Sequence, residues 1–327
     1  MESTPQTHPR VSVVIPTFNR AAFLPAATRS ALNQTLHALE VIIVDDGSTD
    51  ATPEVCRSLA ASDPRIRAFR QANRGLAAAR NAGLAAAAAD WIAFLDDDDL
   101  WVGTALEVFI RHARASSALL VSHARGFTSP TPDVTAEAVL ADPARYAVAP
   151  WPPDPPGTRI ELGELLLRPL FPPNAALVRV QALKELGGFN EARRAAEDYE
   201  VWLKLVARNP IPVIGEPLAL YRWHPGQMSA TLARQAGETR LVLEAFLARH
   251  PEGWAAAGRS RLRRRLALLA REEAYAALLV GDRGTAFRAA WCSIAWSFAQ
   301  PKSWLYLLSA AAPGLYLALR GRRRRRR

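Results

Sequence analysis

Four consecutive carboxylates, Asp96 to Asp99, are the residues of this 327-residue chain with the clearest capacity for chemistry. They follow the apolar segment 91–95, which is typical of a buried strand. Adjacent like charges repel one another, and their burial is costly without a counter-charge. Mg2+ and Mn2+ prefer carboxylate oxygens and often bridge to substrate phosphates. The run therefore indicates a divalent-cation site, and a solvated acidic turn that caps the next helix is the alternative.

Two earlier apolar segments also end in polar side chains. Residues 11–16 lead into Thr17, and residues 41–44 lead into Asp45 and Asp46. Helices are predicted between the strands, at 21–33, 51–61 and 76–88. This alternation predicts a parallel sheet with right-handed crossovers, and ligands of such sheets bind outside the carboxyl ends of the strands. We therefore expect the polar groups that follow the three strands to converge at one edge of the sheet.

Seven short segments stand out along the first two thirds of the chain. They are residues 14–19, 44–50, 73–83, 94–99, 187–191, 197–202 and 221–224. In order and spacing they resemble the motifs of glycosyltransferase family 2. The resemblance implies the GT-A fold, an α/β fold with a Rossmann-like, mostly parallel sheet flanked by helices. It also implies a nucleotide-sugar donor and inversion at the anomeric carbon.

The resemblance assigns the binding of the nucleotide sugar to four of these segments. The residues that it implies are Pro16, Thr17, Asn19, Asp45, Asp46, Asn73, Arg80, Asp96 and Asp97. A carboxylate among them can accept hydrogen bonds from a nucleobase N–H or from ribose hydroxyls. Two alternatives stay open, namely a plain Asx turn that begins at Asp45 and a solvated helix face for Arg80.

The same resemblance makes Asp96 to Asp98 an Asp-x-Asp motif. Its best metal ligand is Asp98, and Asp96 and His224 are further candidates. The expected ion is Mn2+ or Mg2+, which neutralises the diphosphate and stabilises the leaving nucleoside diphosphate. Because a lone histidine is more often a structural hydrogen-bonding residue, that role stays open for His224. Asp99 is expected to support the site or to cap a helix.

A second acidic pair, Glu197 and Asp198, begins a predicted amphipathic helix at 199–207. An inverting transfer needs one base that takes the proton from the acceptor hydroxyl. The resemblance assigns this role to Asp198. The alternative is a helix cap whose negative charge is favoured by the helix dipole, and the two roles are compatible.

The basic charge of the chain lies in its C-terminal part. Residues 240–327 contain 18 Lys and Arg against 5 Asp and Glu, in a chain of net charge +10. Helices are predicted there at 238–249, 260–279 and 284–299. The uncharged segment 303–319 is interrupted by Pro-Gly and is short for a membrane span, which needs about 20 residues. Its aromatic residues and the terminal arginines favour peripheral binding to an anionic membrane surface.

A helical hairpin packed on the main domain, with a solvated tail, is the alternative for this C-terminal part. Nucleic acid is not the expected partner, because no recognition fold accompanies the basic tail. The two cysteines lie far apart in sequence, and the N-terminus has no apolar signal-peptide segment. The cysteine usage suits a reducing cytoplasm, and the N-terminus gives no sign of export. We therefore expect a cytoplasmic protein that binds peripherally to the inner membrane face.

These observations predict a flexible N-terminus (1–10), a GT-A domain (11–235) and a basic helical appendage (236–327). Within the GT-A domain, the nucleotide-sugar half spans about 11–125 and the acceptor half about 126–235. The expected enzyme is an inverting, metal-dependent glycosyltransferase of the hexosyltransferase type. Its acceptor would be a hydroxyl of a glycan or of a lipid-linked molecule, in cell-envelope polysaccharide synthesis.

Two other classes of protein are alternatives to this interpretation. A sugar-phosphate nucleotidyltransferase usually has a glycine-rich phosphate loop with a basic residue after its first strand, and residues 16–19 do not resemble one. A non-catalytic nucleotide-sugar-binding protein would tolerate the loss of Asp98 or Asp198. Because both are present, the sequence favours the enzyme.

Overall fold

A computed structural model of the protein describes residues 10–114, 118–129, 131–150, 157–224 and 232–311. The expectations for the flexible N-terminus, for the second half of the uncharged segment 303–319 and for the terminal arginines concern residues outside these ranges.

In the described part of the chain, ten strands form one sheet. They are β1 Val11–Thr17, β2 Leu39–Asp45, β3 Ile66–Arg70, β4 Trp91–Phe94, β5 Leu100–Trp101, β6 Leu119–Phe127, β7 Ala149–Pro150, β8 Arg159–Ile160, β9 Ala176–Arg179 and β10 Ile211–Arg222. The order is β3-β2-β1-β4-β9-β6-β10-β5, with β7 beside β6 and β8 beside β10.

Helices connect and cover these strands. They are α1 Leu24–Leu32, α2 Thr52–Ser62, α3 Leu76–Ala86, α4 Ala105–His112, α5 Ala136–Ala141, α6 Leu162–Leu167, α7 Val180–Glu185, α8 Glu197–Val206, α9 Leu232–Arg249, α10 Gly253–Ala257, α11 Arg259–Leu279, α12 Arg283–Trp296 and α13 Pro301–Ala311. A short 3-10 helix, Pro173–Ala175, precedes β9.

The first four strands run parallel in the order β3-β2-β1-β4, as the alternation of strands and helices predicts. Every residue of β1, β2 and β4 is buried, which explains their continuous apolar sequences. Helix α3 packs closely on β1, because a Cβ atom at Gly83 would lie 2.3 Å from the Cγ1 atom of Val14. Because these strands are parallel, the carboxyl ends of β1, β2 and β4 lie at one edge of the sheet.

The other half of the sheet is mixed. Strand β9 is antiparallel to both of its neighbours, β4 and β6, whereas β10 runs parallel to β6. Strand β10 also pairs with the short β5 in the antiparallel sense. The predicted α/β class is confirmed, and β9 is where the parallel order is interrupted.

The chain divides into two compact units, each described by itself below. The sheet unit comprises Met1–Glu161, Pro169–Ala192 and Val201–Pro225, and the helical unit comprises Leu162–Arg168, Arg193–Glu200 and Gly226–Arg327. The sheet unit contains the ten strands.

The helical unit is held together by an ionic cluster and an alanine-rich core. Arg240 on α9 is 8% exposed, and its guanidinium donates to Glu273 on α11 at 3.1 Å and to Glu244 at 2.8 Å. The indole Nε1 of Trp296 on α12 donates to the second oxygen of Glu244 at 3.0 Å. The predicted helical C-terminal part is therefore a packed helical structure.

Among the residues that the structure describes, no helix combines the length and the apolar character needed to cross a membrane.

Candidate active site

The carboxyl ends of β1, β2 and β4 lie side by side. Thr17, the last residue of β1, is paired in register with Asp45, the last residue of β2. Val14 of β1 is paired with Phe94 of β4, and its carbonyl accepts the backbone N–H of Leu95 at 3.0 Å. The acidic run therefore begins at the edge of the sheet where β1 and β2 end. This convergence results from the parallel order of the strands.

The loops after β1 and β2 are joined by hydrogen bonds through Asn19. Its Oδ1 atom accepts the backbone N–H of Thr49 at 2.8 Å, and its own N–H donates to the Ser48 hydroxyl at 2.9 Å. Asn19 has a left-handed backbone (φ 54°), which asparagine tolerates better than most residues. The Asn19 carboxamide thus organises the loop, and Pro16 is buried within β1.

Asp46 shapes the loop at residues 71–75. One of its carboxylate oxygens accepts the Gln71 Nε2 at 2.8 Å and the Arg74 N–H at 3.0 Å, and the other accepts the Gly75 N–H at 2.7 Å. A Cβ atom at Gly47 would lie 2.7 Å from the Asn73 backbone nitrogen, so the close approach of this loop requires glycine. The side chain of Asn73 is exposed on the same loop.

Asp45 has a basic partner that sequence reasoning missed. The Nε atom of Arg70 lies 3.3 Å from the buried Oδ2 atom of Asp45, and the same guanidinium donates to the Ser48 carbonyl at 2.7 Å. Ser48 in turn donates its N–H to Asp45 at 2.9 Å, in the manner of an Asx turn. Arg70 ends β3, in register with Asp45, so a parallel alignment of the strands could have revealed it.

Arg80 is buried and belongs to the acidic edge. It is 1% exposed, and its guanidinium donates to Asp96 at 2.9 Å. The guanidinium also lies 5.7 Å from the centre of the Phe189 ring. The solvated helix face that the sequence left open for Arg80 is therefore wrong.

Asn81, the next residue on α3, ties a later motif to this region. Its carboxamide donates to the Phe189 carbonyl at 2.9 Å and accepts the Phe189 N–H at 2.8 Å. Arg74 forms an ion pair at 2.5 Å with Glu191, two residues beyond Phe189. The turn at 187–191 is therefore held against α3 and the loop before it, within the sheet unit.

Asp97 and Asp98 differ in their surroundings. Asp97 is 8% exposed, and burial followed by the charge of Asp98 raises the pKa of the Asp97 carboxyl well above its usual value. The charge of Arg20, whose Nε atom lies 3.9 Å from the Oδ1 atom of Asp97, opposes this shift. Asp98 faces a histidine instead, because its Oδ2 atom lies 2.9 Å from the Nε2 atom of His224. The His224 ring also stacks on Phe23, with ring centres 4.9 Å apart.

Asp99 connects the acidic run to two later parts of the chain. It is 1% exposed, and its carboxylate accepts the Asn174 side-chain N–H at 2.7 Å and the Arg222 backbone N–H at 2.8 Å. Burial raises the pKa of Asp99 well above its usual value, and the charges of Asp98 and Asp96 add to the effect. Asp99 thus joins the acidic run to the end of β10 and to the turn before β9, and Asn174 is a second residue that sequence reasoning missed.

Arg222 fixes the end of β10 beside the acidic run. It is 2% exposed, and its Nε atom donates to the Asp98 carbonyl at 2.6 Å. Burial lowers the pKa of the Arg222 guanidinium, against the opposing charges of Asp99 and Asp98. Because His224 follows two residues later, these contacts determine where its ring meets Asp98.

The fit of a divalent cation rests on the pair formed by Asp98 and His224. They place an oxygen and a nitrogen donor 2.9 Å apart, and both side chains are more than four-fifths buried. Asp96 shares its carboxylate with Arg80. Within the described residues, no group of three or more His, Cys, Asp or Glu side chains is arranged as a metal site. Two protein ligands suit a metal that takes water and substrate phosphate oxygens as its other ligands.

Asp198 belongs to the helical unit, as the second residue of α8. It is half-buried, and its carboxylate accepts the Tyr199 N–H at 2.7 Å, which is an interaction of a helix start. Ala196, just before the helix, has a left-handed backbone (φ 59°) that costs free energy in a residue other than glycine. Arg193 pairs with Glu200 at 3.0 Å and with Glu238 of α9 at 3.4 Å, so ion pairs hold this segment on both sides.

The fold and the acidic edge define an α/β protein with a cluster of carboxylates at the carboxyl ends of parallel strands. The model of Glycosyl transferase family 2 matches residues 12–187. Because this match covers more than half of the chain, the protein belongs to glycosyltransferase family 2. The sequence resemblance is thereby confirmed.

Relatives and solved structures agree with this assignment. A putative glycosyltransferase of Bacillus subtilis, EpsH, is 40% identical over 94 residues, which are 29% of this chain and 27% of EpsH. Staphylococcus aureus TarS 1–349 in complex with UDP-GlcNAc has a TM-score of 0.56 and 18% identity, over 92% of this chain and 91% of that one. The Pyrobaculum calidifontis mannosyltransferase PcManGT in complex with GDP-Man and Mn2+ has a TM-score of 0.55 and 21% identity, over 95% and 88%. The GT-A fold is confirmed by these likenesses, and the chain matches about a quarter of the length of EpsH.

Proposed function

We propose that this protein is an inverting, metal-dependent glycosyltransferase of the hexosyltransferase type. It moves a sugar from a nucleoside-diphosphate sugar to a hydroxyl of a glycan or of a lipid-linked acceptor. The observation that carries this proposal is the pairing of Asp98 with His224 at the sheet edge, within a run of carboxylates of which Asp97 and Asp99 are buried. The nucleotide sugars in TarS and in PcManGT support the same class of donor.

The donor half of the site is assigned to the loops that follow β1, β2, β3 and β4 and to helix α3. The residues assigned to the binding of the nucleotide sugar are Pro16, Thr17, Asn19, Asp45, Asp46, Asn73, Arg80, Asp96 and Asp97. In this assignment Asp46 acts by holding the loop at 71–75, and Arg80 acts by orienting Asp96. Arg70 joins them because it neutralises Asp45.

The metal, Mn2+ or Mg2+, is assigned to Asp98, with His224 and Asp96 as further ligands. When bound it supplies Lewis-acid stabilisation of the diphosphate leaving group. The Mn2+ in PcManGT supports this choice of ion. The protein's own contribution is to hold Asp98 and His224 in place, through Asp99, Asn174 and Arg222.

Asp198 is the proposed catalytic base. The acceptor hydroxyl oxygen attacks the anomeric carbon and forms the new glycosidic bond, while the bond from that carbon to the phosphate oxygen breaks. The hydroxyl proton passes to the Asp198 carboxylate, and the nucleoside diphosphate leaves with the bonding electron pair. One displacement of this kind inverts the anomeric centre.

The chain is divided, in this proposal, into a GT-A domain at 11–235 and a basic helical appendage at 236–327. The excess of positive charge in the appendage supports work at an anionic membrane surface, on the cytoplasmic side of the inner membrane. A lipid-linked or glycan acceptor in cell-envelope polysaccharide synthesis agrees with that location.

The test is the release of nucleoside diphosphate from a panel of UDP-, GDP- and dTDP-sugars, with Mn2+ or Mg2+. We expect turnover of one donor, and we expect Asp98→Asn to lose it. Asp90→Asn is the control and should retain turnover, because Asp90 is exposed at the opposite end of β4 from the acidic run. Donor binding is measured by calorimetry in parallel. A protein that neither binds nor turns over any donor of the panel contradicts the proposal.

A further inference from the structure

Large apolar side chains that face solvent are concentrated in the helical unit. Of eleven such side chains among the described residues, seven lie between residues 275 and 308. They are Tyr275, Leu279, Val280, Phe287, Trp291, Phe298 and Leu308. Single exposed apolar residues are ordinary, but a concentration of them marks an interaction surface.

Helix α12 carries apolar side chains both on the side that packs in the core and on the side that faces solvent. Its inner side, which includes Ala289, Ala290 and Ile294, packs in the core with Ala274 of α11 and Leu307 of α13. We call its other side the outer face of α12, formed by Phe287, Arg288, Trp291 and Ala295, all of which are exposed.

Large rings project from the outer face of α12. Phe287 is 44% exposed and Trp291 is 58% exposed, and their spacing of four residues places them one above the other. Phe298, just beyond the end of the helix, is 76% exposed. A helix with aromatic residues on its solvent side is typical of segments that lie in a membrane interface.

The charge around this face is mainly positive, although the exposed Asp282 at the start of α12 is an acid close to Arg288. From Arg283 to Ala311 the chain contains three cationic residues, Arg283, Arg288 and Lys302, and no Asp or Glu. Arg288 lies on the outer face itself, and Lys302 is exposed at the start of α13. Exposed arginines at 259, 261, 263 and 264 add positive charge to the same unit. An anionic partner is therefore favoured, and a second copy of this chain would bring together two faces of like charge.

We propose that the outer face of α12 lies on the surface of an anionic lipid bilayer. Phe287 and Trp291 enter the boundary between headgroups and acyl chains, and Arg288 lies at the level of the lipid phosphates. This inference rests on the proposed work of the enzyme at a membrane and assigns the surface that makes the contact.

The test is sedimentation of the full chain with phosphatidylcholine vesicles, with and without phosphatidylglycerol as a minor component. We expect binding that depends on phosphatidylglycerol and that is weakened about tenfold or more in the double variant Phe287→Ser and Trp291→Ser. Arg288→Glu should weaken binding as well. The control is Leu241→Ser on α9, which removes a side chain 42% exposed in the same unit and should leave binding unchanged.

Vesicle binding needs neither donor nor acceptor, so its failure is distinct from a failure of the proposed reaction. Circular dichroism verifies that each variant is folded, and Arg288→Glu keeps the aromatic residues in place. Equal binding by wild type, the double variant and Arg288→Glu overturns the proposal. A wild-type dimer in sedimentation velocity that becomes monomeric in the double variant also overturns it, because a second copy would then cover the face.

Discussion

The Nε2 atom of His224 lies 2.9 Å from the Oδ2 atom of Asp98, although 126 residues separate them in the sequence. The His224 ring is also held by stacking on Phe23. Strand β10 delivers the histidine to this position, because Arg222 is bound by its backbone to Asp99 and by its side chain to the Asp98 carbonyl. The pair is thus held in place by contacts within the protein.

His224→Gln should weaken Mn2+ binding, because it removes the imidazole that faces Asp98. Loss of a supporting contact at a metal site typically costs 10–100-fold in metal affinity, so we expect about tenfold or more. Isothermal titration with Mn2+ in the presence of a nucleoside diphosphate measures the change. His37→Gln, at an exposed histidine, is the control and should bind Mn2+ as wild type does. Unchanged affinity in His224→Gln would remove His224 from the site.

Arg80→Gln should destabilise the fold, because it removes a buried guanidinium that donates to Asp96. Asp96 is 27% exposed, so water offsets part of the loss, and we expect about 1–3 kcal/mol of lost unfolding free energy. Urea unfolding measures it. Arg57→Gln is the control: it breaks an exposed ion pair with Glu54 and should leave the urea concentration at the midpoint of unfolding unchanged. The same midpoint in both variants would contradict a structural role for the buried pair.

Asp198→Asn should retain donor binding and lose transfer, because asparagine cannot take the acceptor proton. General-base catalysis typically contributes 10²–10⁴-fold, so the turnover should fall by at least about a hundredfold. Asp282→Asn is the control, since Asp282 begins α12 by accepting the Thr285 N–H and also lies in the helical unit. Asparagine still accepts the backbone hydrogen bond at each helix start, so a loss of transfer confined to Asp198→Asn reports the loss of the carboxylate. Transfer at the wild-type rate in Asp198→Asn would end the assignment of the base.

Arg193→Gln should lower the rate of transfer while donor affinity stays the same. Arg193 is 17% exposed at its side chain and joins Glu200, two residues after Asp198, to Glu238 of α9. Its loss should let the segment that carries Asp198 move, and a small misplacement of a reacting group is costly in rate. We expect a fall of about tenfold or more in kcat, an unchanged donor KM and partial rescue by Arg193→Lys.

Arg194→Gln is the matched control for Arg193, because the neighbouring arginine is exposed. Its steady-state kinetics should equal those of wild type. Equal effects of the two substitutions, or a change confined to donor KM in Arg193→Gln, would contradict the positioning role.

Several elements could be predicted because their sequence patterns are local. The continuous apolar runs of β1, β2 and β4 require burial on both faces, and polar residues mark where each run stops. Parallel order then places Thr17, Asp45 and the acidic run at one edge. The helices of the C-terminal part were predicted for the same reason, and the boundaries of α11 and α12 differ from the predictions by at most three residues.

Other contacts depend on residues that are distant in the chain, and no local pattern announces them. The burial of Arg80 follows from the packing of α3, and the pairing of Arg70 with Asp45 follows from the register of β2 and β3. Asn174 reaches Asp99 only because the turn before β9 passes that carboxylate.

The sequence by itself therefore determined the family, the α/β class and the residue types at the edge of the sheet. Only the tertiary structure decided which carboxylate faces His224 and which is neutralised by an arginine. The physical reason is that the stability of a charge in a folded protein depends on its burial and on its partners. Both are properties of neighbours in space, such as Arg222 and Asn174 beside Asp99, and these neighbours come from distant parts of the chain.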